Sequence, residues 1–248
     1  TYTLTMEPTV SFWDCGEFIA CSNELEVTHP PGAPLFLLLG RIFSLFSFGD
    51  ATNVAWMINL LSVLASAFTA LFTFWTTTLL AQKGLNMVSW DDRTRTIATM
   101  AAGVVAGLTC AFADSIWFNA VEAEVYALSS FFTAIVVWLM FKWDARADEP
   151  DHWRWLILIA YLMGLSIGVH LLNLLTIPAL ALLFYYRKFN FSWGGLIATM
   201  GISVLVLAFL QYGIIQETFS VAWAFEKFLT GTVDQAGLDL GGLGMPVG

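Results

Sequence analysis

Charge is scarce in this sequence. Only 12% of its 248 residues are Asp, Glu, Lys or Arg, against 58% hydrophobic, and the mean hydropathy is +0.74. A soluble domain of this size cannot cover itself with so little polar surface, so the chain reads as an integral membrane protein. Positive charge is scarcer still, with ten Lys and Arg against 19 Asp and Glu and a formal net charge of −9. No basic stripe is left to follow a phosphate backbone, which excludes nucleic acid as a partner. The short alternating segments of a transmembrane barrel are also missing; the apolar runs extend for about 20 residues and are rich in Leu, Ala, Phe and Met, so the spans are helices.

Cysteine is sparse as well. Cys15, Cys21 and Cys110 form neither a disulfide framework nor a metal-binding pattern, leaving either unpaired thiols or one Cys15–Cys21 bridge in an oxidising outer compartment. The chain opens with TYTLTMEPT, without an initiator Met or a charged leader region, and stops in the Gly-rich GLDLGGLGMPVG. It reads as a fragment of a longer protein, residues 1–10 being the end of a preceding span.

What is present is grease in long runs. Six segments are expected to span the membrane, at roughly 51–81, 97–115, 122–142, 154–169, 171–186 and 193–214. A seventh apolar stretch, 30–49, is decided by charge. If it stays out of the bilayer, Lys83, Arg93, Arg95, Lys142, Arg146, Arg154, Arg187 and Lys188 all share one side, which the positive-inside rule makes the cytoplasm. If it crossed, the acid-rich segment 11–29 would join them. Residues 30–49 are therefore expected as a juxtamembrane or re-entrant helix at the outer surface, opened by Pro30, Pro31, Gly32 and Pro34 and carrying Arg41. Thirteen of the 19 acids then lie outside, countered only by Arg41 and Lys227. The expected fold class is an all-α polytopic helical bundle forming a single module over 1–248. It has an outer segment with a juxtamembrane helix over 11–50, six membrane helices over 51–214 and a further outer loop over 215–248.

On that topology the polar residues gather outside at three places. Trp13-Asp14-Cys15-Gly16-Glu17 is followed by His29-Pro30-Pro31-Gly32; Asp114 to Asn119 runs into Glu122-Ala123-Glu124-Val125-Tyr126; and His170-Leu171-Leu172-Asn173 sits at a break between spans. Asp14 and Glu17 are three apart, so on a helical turn they share a face and can act on one substrate or one cation. Two acids held close in a partly dehydrated site push their pKa values apart, which suits one of them to general-base work. The plainer alternative is a solvated loop with acids near a helix start. Glu122 and Glu124 are two apart, so on one helix at most one of them faces any shared cavity; Glu124 with Tyr126 is the preferred pair. His170 and Asn173 are either interhelical glue or a lining of the site. His29 and His170 with Asp14 and Glu17 match no compact metal signature, so no metal site is expected, a hard divalent cation held by the carboxylates being the alternative.

FWDCGEFI, HPPGAPLF, AVEAEVYALSSFF and GVHLLNLL, in that order, resemble motifs of the GT-C superfamily of polyprenyl-phosphate-sugar-dependent glycosyltransferases. Within it, they resemble the bacterial domain-of-unknown-function family related to the eukaryotic transmembrane protein O-mannosyltransferase. The resemblance covers nearly the whole chain. It implies an enzyme that takes a sugar, by analogy mannose, from a polyprenyl-phosphate carrier and passes it to an acceptor hydroxyl, Ser or Thr of exported proteins or a glycan, on the periplasmic side of a bacterial inner membrane.

By the same resemblance Asp14 is the general base and Glu17 the second acid of its motif. The family's Asp-Glu pair is adjacent, whereas Asp14 and Glu17 are three apart. His29, Glu122 and Glu124 match further motif positions. Arg41, with His29, His170 and Asn173, is the expected partner of the lipid phosphate. Two other classes compete. A transporter or flippase would show internal repeats and broken spans, but no repeat is found and Pro178 is the only proline within the six segments. A non-catalytic membrane scaffold would leave several acids at an apolar boundary without a use.

Overall fold

The computed structural model describes residues 1–230, and every regular element among them is helical. Two compact units are present, Thr1–Thr176 and a second that begins at Ile177.

The first unit is organised around three long helices, α4 (Ala51–Leu85), α5 (Asp92–Ala111) and α7 (Val125–Ala145). Asp50 caps α4 by accepting from the Thr52 N–H at 2.9 Å, and Asp91 caps α5 by accepting from the Thr94 N–H at 3.0 Å. Both use the short acidic side chain that a helix start favours. α4 and α5 form a hairpin in which Gly103 lets the helices approach: a Cβ there would come within 2.9 Å of the Phe74 ring. α4 meets α7 through aromatic contacts, with Phe72 5.2 Å from Trp138 and 5.9 Å from Phe131. Lys83 Nζ pairs with Asp144 Oδ2 at 2.6 Å toward the other end of both helices.

Shorter elements close one end of these helices: α1 (Tyr2–Thr5), α2 (Cys15–Glu24), α3 (Pro34–Ser44) and α6 (Asp114–Ala120), while α8 (Trp153–Ile167) runs back along α7. α2 and α3 pack on the early turns of α4 and α7, burying Phe18, Phe36, Leu37, Ile58, Val125 and Leu128 in one core. α3 is 11 residues long and is followed by a single 3-10 turn, Leu45–Ser47. Its reach of about 20 Å falls short of the ~30 Å hydrocarbon core. α6 rests on α4 through Trp117, whose ring lies edge-on to Tyr2 at 5.0 Å.

α8 ends at Ile167, and after Gly168-Val169-His170 the chain makes a 3-10 turn, Leu171–Thr176. The second unit holds α9 (Ile177–Lys188) and α10 (Trp193–Ala208). A π-helical stretch, Phe209–Ile215, then runs directly into α11 (Gln216–Thr230). Among the described residues, four helices are long and apolar enough to cross a membrane: α4, α5, α7 and the continuous Trp193–Lys227. α8 and α9, read in the sequence as spans, have 15 and 12 residues and reach only about 22 and 18 Å. The expected loop after residue 214 is instead helical up to Thr230, because no Pro or Gly interrupts 214–230. Asp234, Asp239 and the Gly-rich stretch lie outside the described residues. All three cysteines are free; Cys15 and Cys21 are six residues apart on α2, about 9 Å along its axis, which is beyond disulfide reach.

The α2–α3 contact depends on Gly40, where an added Cβ would meet the Ser22 side chain, with Ser22 Cβ at 2.8 Å and Ile58 Cγ2 behind it. Gly40→Ala is therefore expected to destabilise the unit by about 1–3 kcal/mol, read as a lowered unfolding temperature of the purified protein in detergent. An unchanged midpoint would show that α2 and α3 are not tightly docked.

Candidate active site

The site begins at the start of α2. Asp14 occupies the N-cap position, and Trp13 before it is in the left-handed region at φ 60°, a conformation that costs a bulky residue energy. Glu17 lies one turn on, so the i, i+3 spacing puts both acids on one face. His29 meets them from the loop that leads to α3. Its Nδ1 is 2.8 Å from Glu17 Oε2, its backbone N–H donates to Glu17 Oε1 at 2.6 Å, and its Nε2 is 4.0 Å from Asp14 Oδ2. The imidazole thus stands between two carboxylates, with the Phe18 ring 6.0 Å away. The hydrogen bond from His29 holds Glu17 below its ordinary value. The same bond, aided by the charges of Glu17, Asp14 and Glu124, raises His29.

The second acidic pair comes from the segment before α7. The sequence reading put Glu122 and Glu124 on one helix, facing apart. Instead α7 starts at Val125, and Glu124 is its N-cap in extended backbone at φ −123°, ψ 150°. Freed from helical periodicity, both side chains are buried, at 2% and 6% exposure, and both engage the first outer segment. Ser11 Oγ donates to Glu122 Oε2 at 2.7 Å, and Cys15 Sγ donates to Glu124 Oε1 at 3.5 Å. The Glu7 N–H adds a bond to the Val121 carbonyl at 3.0 Å. Burial pushes the Glu124 carboxyl up, and the charges of Asp14 and Glu122 act in the same direction. Burial likewise pushes the Cys15 thiol up, so it serves as a neutral donor to Glu124.

Other expected site residues divide. The Tyr126 and His170 rings lie 5.2 Å apart, tilted at 49°, beside the start of α7, and His170 Nδ1 accepts from the Leu172 N–H at 3.1 Å, which leaves the neutral ring's proton on Nε2. Asn173 acts as interhelical glue: its Oδ1 accepts from Ser129 at 3.0 Å and from Thr133 at 2.8 Å, both on α7. Arg41 is not brought to the acids. It donates to the carbonyl and side chain of Asn23, near the end of α2 opposite Asp14 and roughly 13 Å along the axis. Asp114 to Asn119 form α6, and the Asn119 amide donates to the Ser115 carbonyl within it.

Asp14, Glu17 and His29 have ligand atoms within 4.8 Å of one another, so among the described residues these three could share a divalent cation. His29 already bridges the two carboxylates, and a cation there would have to displace the Glu17–His29 bond. Sequence reasoning missed Ser11, Cys15 as a donor, and Asn59. The Asn59 amide donates to the carbonyls of Glu7 at 2.8 Å and Thr9 at 3.2 Å, holding the first outer segment against α4. An amide within the apolar run of 51–81, beyond its first two turns, was the signal available for it.

The Glu17–His29 pair has a defined pH window. With His29 raised, its contribution is complete below the ordinary histidine value and is lost as pH climbs through the raised one. With Glu17 lowered, it is complete above the ordinary glutamate value and is lost as pH falls through the lowered one. In Glu17→Gln, His29 is expected to titrate at lower pH than in the wild type, followed by NMR of the imidazole. An unmoved midpoint would mean the two groups are not paired in solution.

The family model for the protein O-mannosyl-transferase TMEM260 N-terminal domain matches residues 14–193. Among curated proteins, the chain is 27% identical over 191 residues to protein O-mannosyl-transferase tmem260 of Dictyostelium discoideum, covering 75% of this chain and 21% of that protein. It is 29% identical over 167 residues to protein O-mannosyl-transferase TMEM260 of Mus musculus, covering 67% of this chain and 21% of that protein. The chain thus spans about a fifth of the length of these relatives. No solved structure matches it significantly. The matched region runs from Asp14 through α9, taking in both acidic segments, α3, α4, α5 and α7, and it places this chain in the TMEM260 N-terminal domain family.

Proposed function

We propose that the chain carries the sugar-transfer site of a membrane O-mannosyltransferase. It moves mannose from a polyprenyl-phosphate carrier to a Ser or Thr hydroxyl of an exported protein at the periplasmic face of a bacterial inner membrane. The observation that supports this reading best is the meeting of two outer segments about a hundred residues apart, bringing Asp14, Glu17, His29 and Glu124 into mutual electrostatic range. A scaffold has no use for that convergence. The names of the relatives support the sugar and the protein acceptor.

In this reading the acceptor oxygen attacks the anomeric carbon as its bond to the carrier phosphate breaks, with inversion. The hydroxyl proton passes to Asp14, the most exposed of the acids that pair with His29, at 58% of its side chain against 36% for Glu17. The lipid phosphate leaves with the bonding electrons and needs no proton. His29, held charged by Glu17, is the cation nearest the acids and the better placed partner for that phosphate. Arg41, tied to Asn23, serves the carrier farther along its chain. Glu124 and Tyr126 line the sugar side.

Asp14→Asn is expected to reduce transfer by roughly 10²–10⁴-fold, the usual contribution of a positioned base, with the helical content and thermal midpoint retained. The assay is transfer from radiolabelled polyprenyl-phosphate mannose by the purified full-length protein to exported-protein acceptors. Equal transfer by wild type and mutant would remove Asp14 from the mechanism. Failure of the wild type across several sugars and acceptors would overturn the enzyme reading.

A further inference from the structure

Away from the acids, a cleft of about 400 Å³ lies along α4 and α7 within the first unit. Thr69, Thr73 and Thr77 line it from α4, Ser129 and Thr133 from α7, and Asn173 from the 3-10 turn. None of its lining residues is charged. Ser129 and Thr133 stand one and two turns inside α7, so the cleft sits at a depth where hydroxyls otherwise have only hydrocarbon for company.

A stripe of small polar residues would not by itself make a site, but Asn173 adds a second observation. It is only 4% exposed, its Oδ1 is filled by Ser129 and Thr133, and its Nδ2 has no partner among the described residues. Buried amide donors are rarely left orphaned. The hydroxyls show the complementary pattern. Thr69 and Thr73 donate to the carbonyls of Ala65 and Thr69, and Ser129 and Thr133 donate to Asn173. Four oxygens therefore keep lone pairs but have committed their protons. This pattern complements a molecule that offers one acceptor to Asn173 and several hydroxyl donors to the threonines, and that carries no charge.

We propose that this cleft binds the head of an uncharged glyceride, its ester carbonyl accepting from Asn173 Nδ2 and its free hydroxyls donating to Thr69 and Thr73. The lack of any cation in the lining disfavours a phosphate head. Leu172, 52% exposed beside Asn173, gives the acyl chain an apolar exit. The inference is independent of sugar transfer.

The probe is a monoacylglycerol carrying a diazirine near its head, added to the full-length protein in phosphatidylcholine nanodiscs and cross-linked by light, the adducts being mapped by mass spectrometry. Labelling is expected on residues 69–77 and 129–137, competed by unlabelled monoolein but not by phosphatidylglycerol. Asn173→Leu removes the donor and also the clamp on α7, so Thr73→Val, a near-isosteric change, is the second variant. It should lower labelling about fivefold for one lost hydrogen bond, with the unfolding midpoint retained. Labelling spread evenly over the lipid-facing helices, equal competition by phosphatidylglycerol, or full labelling of Thr73→Val would each overturn the proposal. Competition by millimolar glycerol would assign the cleft to a soluble polyol and overturn the lipid.

Discussion

The arrangement at the acidic end of the first unit depends on one imidazole placed between two carboxylates. Asp14 and Glu17 share a face of α2 and would repel each other; His29 reduces that repulsion by presenting one nitrogen to each. The pairing also fixes the chain. Because the His29 backbone N–H bonds to the same Glu17 carboxylate, the loop between α2 and α3 is closed at that point and α3 starts in a defined place. From there α3 docks its Leu35 N–H onto the Gly168 carbonyl at 2.7 Å, tying the first outer segment to the end of α8. The acid cluster is thus a structural joint as well as a chemical one.

The same end of the molecule is closed a second time by polar bonds from a different direction. Asn59 on α4 holds the carbonyls of Glu7 and Thr9, and Ser11 and Cys15 reach the carboxylates of Glu122 and Glu124. Each of these bonds satisfies a group that burial would otherwise leave stranded, so losing either partner strands the other. The two buried carboxylates are therefore each tied to the first outer segment by a hydrogen bond. That combination suits a site whose groups must keep their geometry while a substrate proton moves.

Much of this was legible in the sequence. The helical class followed from run length and the i, i+3 relation of Asp14 and Glu17 from their spacing, whereas the apolar stretch 30–49, about 20 residues long in the sequence, folds as a helix of only 11 residues and a 3-10 turn. What was not legible has physical causes. The inward turn of both Glu122 and Glu124 depends on α7 starting at Val125, a boundary set by tertiary bonds to Ser11 and Cys15 that no local pattern announces. The displacement of Arg41 from the acids depends on α2 running its full length between them, and Asn23 gave no hint that it would hold the guanidinium. The helix through Gln216–Thr230 was obscured by its charge, although nothing in its sequence breaks a helix.

α4 has 35 residues, so it is about 52 Å long where the hydrocarbon core is about 30 Å. Phe68 packs beside Phe131, and Lys83 pairs with Asp144 toward the far end, so the surplus lies at the start of α4, where about three turns overhang the start of α7. This overhang works as a spacer post. The α2–α3 layer leans on it through Ile58, Val54 and Ala55, next to the start of α7, where Cys15 meets Glu124. A post three turns shorter would leave α2 and α3 without that wall, and the loop that carries His29 to Glu17 without its footing.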